Sequence, residues 1–300
     1  GLKVERIEKK ERKRWEVLMI SNAKKFLIVS GAAPGLFPEV RRWNAFMSGR
    51  KILTQKILKK IGYNTIPTKE FIMADFSSAK ELTTHLSKKK FTYPVLIKRN
   101  EGQNANMITL AETNQQIQKT AKKHFASKSD FMIQPILDQN EYRILVINGT
   151  VMLLHSKENR FILGDGHSTI QQLLNDIPPV KRDDVFEAWQ HKKAGTKPGT
   201  ILKKGERFEF HLTKIPSTDV YETKKIPKPI QKWASQLSKD LSASVLGLDV
   251  FIPGDFKDSN SYTIIEVNSN PGLHYLSEYC NDDSSAVRIY EKILKDFFKK

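Results

Sequence analysis

The stretch YTIIEVNSNPGLHYL, from Tyr262 to Leu276, holds two oxygen-bearing side chains two residues apart, Glu266 and Asn268. On a strand that spacing points both to one face. The β-forming Tyr262, Ile264, Ile265 and Val267 around them predict such a strand, and Asn270-Pro271-Gly272 predicts the turn that ends it. A carboxylate and a carboxamide side by side are either a solvated strand end or two ligands for a hard cation such as Mg²⁺, which takes oxygen donors together with waters and phosphates. Asp249 lies in the preceding strand, Leu248–Ile252. If the two strands pair as a hairpin, Asp249 lies near Glu266 and Asn268, and three oxygen ligands favour the metal over the solvated end. Magnesium held this way normally serves phosphates.

Two lysines point to the same chemistry. Lys98 ends an apolar strand, where a solvated lysine gains nothing from its position. Lys51 opens a helix, and a cation is disfavoured at a helix N-terminus unless an anion lies close by. The polar loop Arg99–Asn106 after Lys98 offers backbone N–H groups that could cover phosphates. An ordinary surface lysine is the alternative for each.

The elements that must position these residues follow from periodicity. Apolar residues at 52, 53, 57, 58 and 61 predict a helix over 51–61 closed by Gly62. A short strand is expected at 71–73 and a serine-capped helix at 77–86. Strands at 93–98 and 107–110 form a hairpin, followed by a helix at 113–125. Strands are expected at 131–136 and over 142–154, the latter turning at Asn148-Gly149. A short helix at 168–174 follows the tight turn Gly164-Asp165-Gly166. Residues 190–230 are Lys-, Gly- and Pro-rich with one strand at 207–212; helices at 230–246 and 285–298 flank the last strand pair. Strands pairing mostly with sequence neighbours, with helices between the pairs, give an α+β chain with antiparallel sheets. A composition break near Ser127–Asp130 divides it into two lobes. The expected organisation is a basic, poorly periodic segment over 1–50, an N-lobe over 51–130 and a C-lobe over 131–300 with a substrate insertion near 190–230.

Composition narrows the classes. With 39% hydrophobic residues the chain can fill a globular interior, and no run of 18 apolar residues exists to span a membrane. The N-terminus does not read as a signal peptide. A single cysteine, Cys280, excludes an internal disulfide framework and suits a reducing, cytoplasmic setting. The net charge of +17 is spread along the chain in lysines that rarely alternate with aromatics, so a lysine-rich surface is preferred to a nucleic-acid footprint. The histidines show no zinc-ligand spacing. Trp189 and Trp233 sit on helical stretches as core residues.

Taken in order, these segments resemble the ATP-grasp superfamily of carboxylate–amine ligases across nearly all of Lys51–Lys300. The resemblance implies a two-lobed ATP-grasp fold with nucleotide between two antiparallel-sheet lobes. RKILTQKILKKIGYNTIP is similar to the helix whose first lysine, Lys51 here, binds ATP phosphate. YPVLIKRNEGQNANMIT resembles the strand with the nucleotide lysine, Lys98, and the phosphate-covering loop with Gly102. MIQPILDQNEYRILVING resembles the adenine hinge, which implies Gln134 and Ile136 beside the base and Glu141 at the ribose. GLDV and IIEVNSNPGL resemble the metal strands, giving Asp249, Glu266 and Asn268 as ligands of ATP-bound Mg²⁺. ILGDGHSTIQQLL and GTILKKGERFEFHL are similar to segments of cyanophycin synthetases and of the ATP-grasp part of bifunctional glutathione synthetases. In that branch the positions of Arg143 and Lys157 carry cations facing an acyl phosphate.

The resemblance implies an ADP-forming ligase that makes an amide bond through an acyl phosphate. The positive charge suits an acidic amino acid or peptide as one substrate, with an amine as the other. The oligomeric state is left open, a homo-oligomer included. Three positions depart from the branch. Ala105 and Met107 stand where its phosphate loop has glycines, and Gln134 stands where its hinge is more often acidic. Of its substrate motif only Ser217 and Thr218 remain, within Ile215–Val220. The alternatives are a nucleotide-binding ATP-grasp protein without turnover, motivated by Ala105 and Met107, and a basic nucleic-acid-binding protein, motivated by charge alone.

Overall fold

The computed structural model describes residues 3–9, 16–24, 26–30, 49–101, 108–137, 139–177, 184–254, 256, 261–269, 271 and 283–299. Gly102, Ala105, Met107, Cys280 and the turn residues Asn270 and Gly272 lie outside them. The chain forms two compact units. Unit 1 comprises Gly1–Ile66, Asp138–Ser156 and Pro216–Lys300; unit 2 comprises Pro67–Leu137 and Lys157–Ile215. This division differs from the contiguous lobes expected at 51–130 and 131–300.

Unit 1 opens with β1 (Lys3–Lys9), β2 (Glu16–Ser21) and β3 (Phe26–Ser30). They form an antiparallel sheet in the order β1-β2-β3. The reading of 1–50 as a basic, poorly periodic segment assigns no strands there, and the structure adds these three. EVLMIS and FLIVS are near-continuous apolar runs, so they lack the alternation that announces a half-buried strand.

The larger sheet of unit 1 contains β8 (Asn140–Ile147), β9 (Thr150–Leu163), β10 (Arg207–Glu222), β11 (Val245–Ile252) and β12 (Thr263–Asn268), in the order β10-β9-β8-β11-β12. β9 and β10 each continue past the unit boundary. β8 and β9 meet at the expected turn, where Asn148 and Gly149 take the positive φ that a two-residue hairpin turn requires. One face of the sheet carries Tyr142, Ile144, Val146, Leu246, Leu248, Val250 and Ile264. It packs under α1 (Lys51–Lys60) through Leu58 and under α6 (Lys228–Asp240) through Ile230, Ala234 and Leu237. The four- and three-residue spacing on α6 makes the apolar stripe that this face demands. Trp233 of α6 stacks on Tyr262 with ring centroids 3.9 Å apart. On the other face Leu145, Ile147, Leu153 and Val245 pack under Ile289 and Ile293 of α7 (Asp283–Lys299).

α6 stops at Asp240, short of the expected 246. The Ala243 N–H bonds back to the Ser238 carbonyl, and Ser242 takes a φ of 47°. The apolar signal ran on because VLGLDVFI, immediately after the turn, is a buried strand.

Unit 2 is built on β4 (Lys69–Phe71), β5 (Val95–Arg99), β6 (Ile108–Ala111) and β7 (Phe131–Pro135), in the order β4-β7-β5-β6. β7 pairs antiparallel with both β4 and β5, so it belongs with residues 67–137 and does not open a second lobe. α2 (Ala79–Ser87) is capped by Ser78, and α3 (Asn114–Ala126) by a reciprocal Thr113–Gln116 capping box. Leu82 and Leu86 of α2 and Ile117 and Ala121 of α3 fill one core with Val95, Ile97, Phe131 and Ile133. His124 of α3 is buried, its ring stacked on Phe131 with centroids 4.8 Å apart.

Residues 157–215 complete unit 2 with α4 (Ile170–Asn175) and α5 (Asp184–Ala194). α4 starts after the tight turn at 164–166, where Asp165 Oδ1 accepts from the His167 and Ser168 amides at 2.9 and 2.7 Å. A Cβ on Gly164 would lie 2.3 Å from the Lys203 carbonyl oxygen, so only glycine fits there. The expectation of one short strand in 190–230 is corrected: α5 reaches Ala194, and β10 extends to Glu222. Pro216, which argues against a strand interior, lies within β10.

Candidate functional site

In unit 1 the charged residues gather on one face of β8, β11 and β12. β11 pairs antiparallel with both neighbours, Asp249 lying opposite Glu266 on one side and opposite Arg143 on the other. Directly opposed residues project to the same face. The next row holds Leu145, Gly247 and Asn268. Arg143, Asp249, Glu266 and Asn268 therefore share a face, the one opposite the core under α1 and α6.

A β-bulge makes this arrangement. The register between β11 and β12 shifts between Asp249 and Val250, so Glu266 opposes Asp249 and Ile264 opposes Val250, with Ile265 unmatched. Strict alternation would put Ile264 on the face of Glu266 and Asn268. The extra residue turns Ile264 and Val267 both into the core and leaves the two polar side chains on the other side. Segment Asn64–Thr65 holds the same strand from its outer edge: the Ile264 N–H donates to the Asn64 carbonyl at 2.9 Å, with a parallel bridge from Thr65 to Ile264.

Asp249 is only 4% exposed, and Arg143 grips it with a fork. The Arg143 Nε donates to Oδ1, and a terminal nitrogen donates to Oδ2 at 2.8 Å. A buried carboxylate needs such compensation. Lys51, the first residue of α1, places Nζ 3.3 Å from Glu266 Oε1. The first turn of α1 contains no acid of its own, so Glu266 is the anion that offsets a cation at this helix N-terminus. One turn further on, Gln55 donates from Nε2 to the Ile265 carbonyl at 2.9 Å. Gly247 keeps the second row open. A Cβ there would sit 2.7 Å from Cβ of Pro271 and 3.5 Å from a terminal nitrogen of Arg143.

The donor set suits a hard cation: two carboxylates on directly opposed residues and an amide oxygen one row along. Among the described residues no cluster of three or more His, Cys, Asp or Glu side chains could hold a metal, and the further side-chain oxygen this face offers beside Asp249 and Glu266 is that of Asn268. Glu141 lies opposite Phe251, on the same face as Arg143 and one row further out.

Lys98, Gln134, Ile136 and Lys157 lie in unit 2. Lys98 opposes Met132, and Leu96 opposes Gln134, so Lys98 and Gln134 share the face of the four-stranded sheet away from its helix-covered core. Gln134 is buried and donates from Nε2 to Thr68 Oγ1 at 2.8 Å. Ile136 follows β7, and Lys157 lies within β9. Ser217 lies in β10, within unit 1, where its hydroxyl bonds that of Ser156. The sequence reading did not single out Gln55 or the bulge. The four-residue spacing from Lys51 to Gln55, which stacks both on one helix face, was the available signal for the first.

Residues 48–161 match the RimK family, described as a RimK-like ATP-grasp domain. Among curated proteins, the glutathione biosynthesis bifunctional protein of Streptococcus mutans is 26% identical over 273 residues, covering 83% of this chain and 35% of its own length. The cyanophycin synthetase of Geminocystis herdmanii is 28% identical over 203 residues, covering 60% of this chain and 23% of its own. The chain thus spans about a third or less of the length of these relatives. Among solved structures, a bifunctional glutathione synthetase from Pasteurella multocida superposes with a TM-score of 0.50 at 19% identity, over 91% of this chain and 39% of that one. A D-alanine–D-alanine ligase from Bacillus anthracis gives 0.51 at 14% identity, over 84% and 67%. These likenesses confirm the α+β reading with antiparallel sheets. Residues 48–161 are thus similar to a RimK-like ATP-grasp domain, and the chain shares the fold of the glutathione synthetase and the D-alanine–D-alanine ligase.

Proposed function

We propose that the chain is an ATP- and Mg²⁺-dependent ligase that joins a carboxylate to an amine and releases ADP and phosphate. The observation that carries this reading is the oxygen set on β11 and β12. In an ATP-grasp fold, Asp249 directly opposite Glu266, with Asn268 one row along, is a ready ligand set for nucleotide-bound magnesium. Bound there, Mg²⁺ would neutralise phosphate charge during transfer.

The chain's own residues would do the rest by position and charge. Lys51, now on Glu266, is within a side-chain rotation of a phosphate bound beside that carboxylate. Arg143 orients Asp249 through its fork and is assigned to the carboxylate or acyl phosphate. In unit 2, Lys98 and Gln134 are assigned to the nucleotide, with Ile136 against the base and Lys157 toward the acyl group. Glu141 is assigned to the ribose, and the loop with Gly102 to the phosphates. The reaction then needs no protein nucleophile: ATP phosphorylates the acid, the amine attacks the acyl phosphate, and phosphate leaves. An acidic amino acid or peptide is the proposed acid, in keeping with the net charge of +17. The relatives' names, a glutathione biosynthesis protein and a cyanophycin synthetase, support amino-acid chemistry.

The test is phosphate release from ATP and Mg²⁺ across a panel of amino acids and acidic peptides, with and without an added amine. Phosphate release that depends on both acid and amine supports the ligase. Saturable ATP binding with no release for any pair would favour the nucleotide-binding alternative.

A further inference from the structure

We propose that Gln55 is a positioning residue for the oxygen set: by holding the Ile265 carbonyl it fixes the bulge that aims Glu266 at Asp249. This inference rests on the metal reading of that set. A bulge leaves its extra residue out of the ladder, and here that residue is Ile265, directly before Glu266. β12 is the edge strand of its sheet, and on its outer side the described chain pairs with it only at the isolated bridge from Thr65 to Ile264, one residue short of Ile265. α1 supports the next two residues. Lys51 reaches the Glu266 carboxylate and Gln55 the Ile265 carbonyl, so two successive turns of one helix grip two successive residues of β12.

Gln55 is built for this task alone. It is 5% exposed, which is unusual for a glutamine on a two-sided helix, and its Oε1 is buried with no hydrogen-bond partner. A buried amide that leaves its acceptor unpaired has a cost, and the offsetting gain visible here is the bond from Nε2 to Ile265. The register shows what that bond protects. Closing the bulge would slip β12 by one residue against β11 and turn Glu266 toward the core now filled by Ile264 and Val267. Releasing the carbonyl therefore loosens the one backbone feature that makes Glu266 oppose Asp249.

The experiment measures Mn²⁺ binding to the 300-residue chain by electron paramagnetic resonance, with a non-hydrolysable ATP analogue present, and metal-free binding of the same analogue separately. Gln55→Met keeps the side-chain length and removes the donor. Gln55→Glu keeps the shape and replaces the donor with an acceptor. Both should weaken Mn²⁺ about tenfold, the loss expected for one hydrogen bond to a buried carbonyl, with metal-free analogue binding unchanged. Either variant that folds is sufficient, read against Glu266→Gln in the same assay. Loss of Mn²⁺ in Glu266→Gln with parental affinity in the Gln55 variants would overturn the role of Gln55 and leave the metal site standing. Parental Mn²⁺ affinity in Glu266→Gln would overturn the metal reading itself, and this inference with it. Equal loss of Mn²⁺ and of metal-free analogue binding in the Gln55 variants would mean general loosening of α1, and would also overturn it.

Discussion

One face of the large sheet in unit 1 is two different surfaces laid end to end. Along β8 the outward residues run Arg143, Leu145, Ile147; along β11 they run Asp249, Gly247, Val245. Each step is two residues, about 7 Å. At one end a forked ion pair and the Lys51–Glu266 pair make the surface ionic; at the other, Ile289 and Ile293 of α7 cover it with apolar side chains. Gly247 marks the change, for it has no side chain to join either end. The difference teaches that α7 stabilises the sheet only where no chemistry is expected. The ionic end depends on balanced charge, and a fault there should show first in ligand binding or in unpaired charge, whereas a fault at the apolar end should show as lost packing.

The largest effect that sharpens this contrast is on catalysis. Glu266→Gln should lower ATP-dependent phosphate release about a hundredfold or more, in line with removal of a group that stabilises transferring charge, while circular dichroism stays parental. Near-normal turnover would place the metal elsewhere.

Next is the buried pair. Asp249→Leu removes the carboxylate that both donating nitrogens of Arg143 hold, in a site where that side chain is 16% exposed. Denaturant unfolding should show a loss of about 3–5 kcal/mol. A loss below about 1 kcal/mol, the scale of a hydrated pair, would erase the distinction between a buried ionic end and a solvated one.

At the apolar end Ile289→Ala should cost about 2–4 kcal/mol by truncating a buried side chain, with the KM for ATP unchanged. A change in KM without loss of stability would mean the two ends are not separable.

The smallest effect belongs to a residue in neither. Burial, then the nearby Arg99 charge, lowers the His124 pKa from its ordinary 6.5, so the folded state of unit 2 holds this imidazole neutral. The unfolded chain binds that proton more readily, so the contribution is fully present above pH 6.5 and is lost as pH falls below it. His124→Phe should flatten the fall in thermal midpoint between pH 7 and pH 5 relative to the parent, and identical slopes would show that this imidazole is hydrated.

The candidate site was legible in the sequence because its chemistry lies in short strands with even spacing. Glu266 and Asn268 two apart, and Asp249 in the preceding strand, were enough to expect one face, and the pairing delivers it. Reasoning about helix ends led to the expectation of an anion beside Lys51, taken there as phosphate; that Glu266 supplies it in this structure comes from the geometry. The bulge was not legible, since Ile264, Ile265 and Val267 fit either face by type and only the partner strand shows which is unmatched. Elements were misjudged where neighbouring apolar runs merged, as at α6 and β11, or where apolar residues did not alternate, as in β2 and β3. α5 was legible only as a helical stretch around Trp189, without bounds, because its lysines and the glycines and prolines after it blur the end of a short helix.

The interleaving of the two units sets an order of events during synthesis. The backbone crosses between them at 66/67, 137/138, 156/157 and 215/216, so all of unit 2 has left the ribosome before β11 exists. β8, with Tyr142, Ile144 and Val146 on one side and Leu145 and Ile147 on the other, must then wait for its neighbour β11 while residues 148–244 are made. At ordinary elongation speeds that is roughly 5–20 s. An apolar strand left open for so long is a natural client for a chaperone, and no single cut in the gene would yield unit 1 on its own.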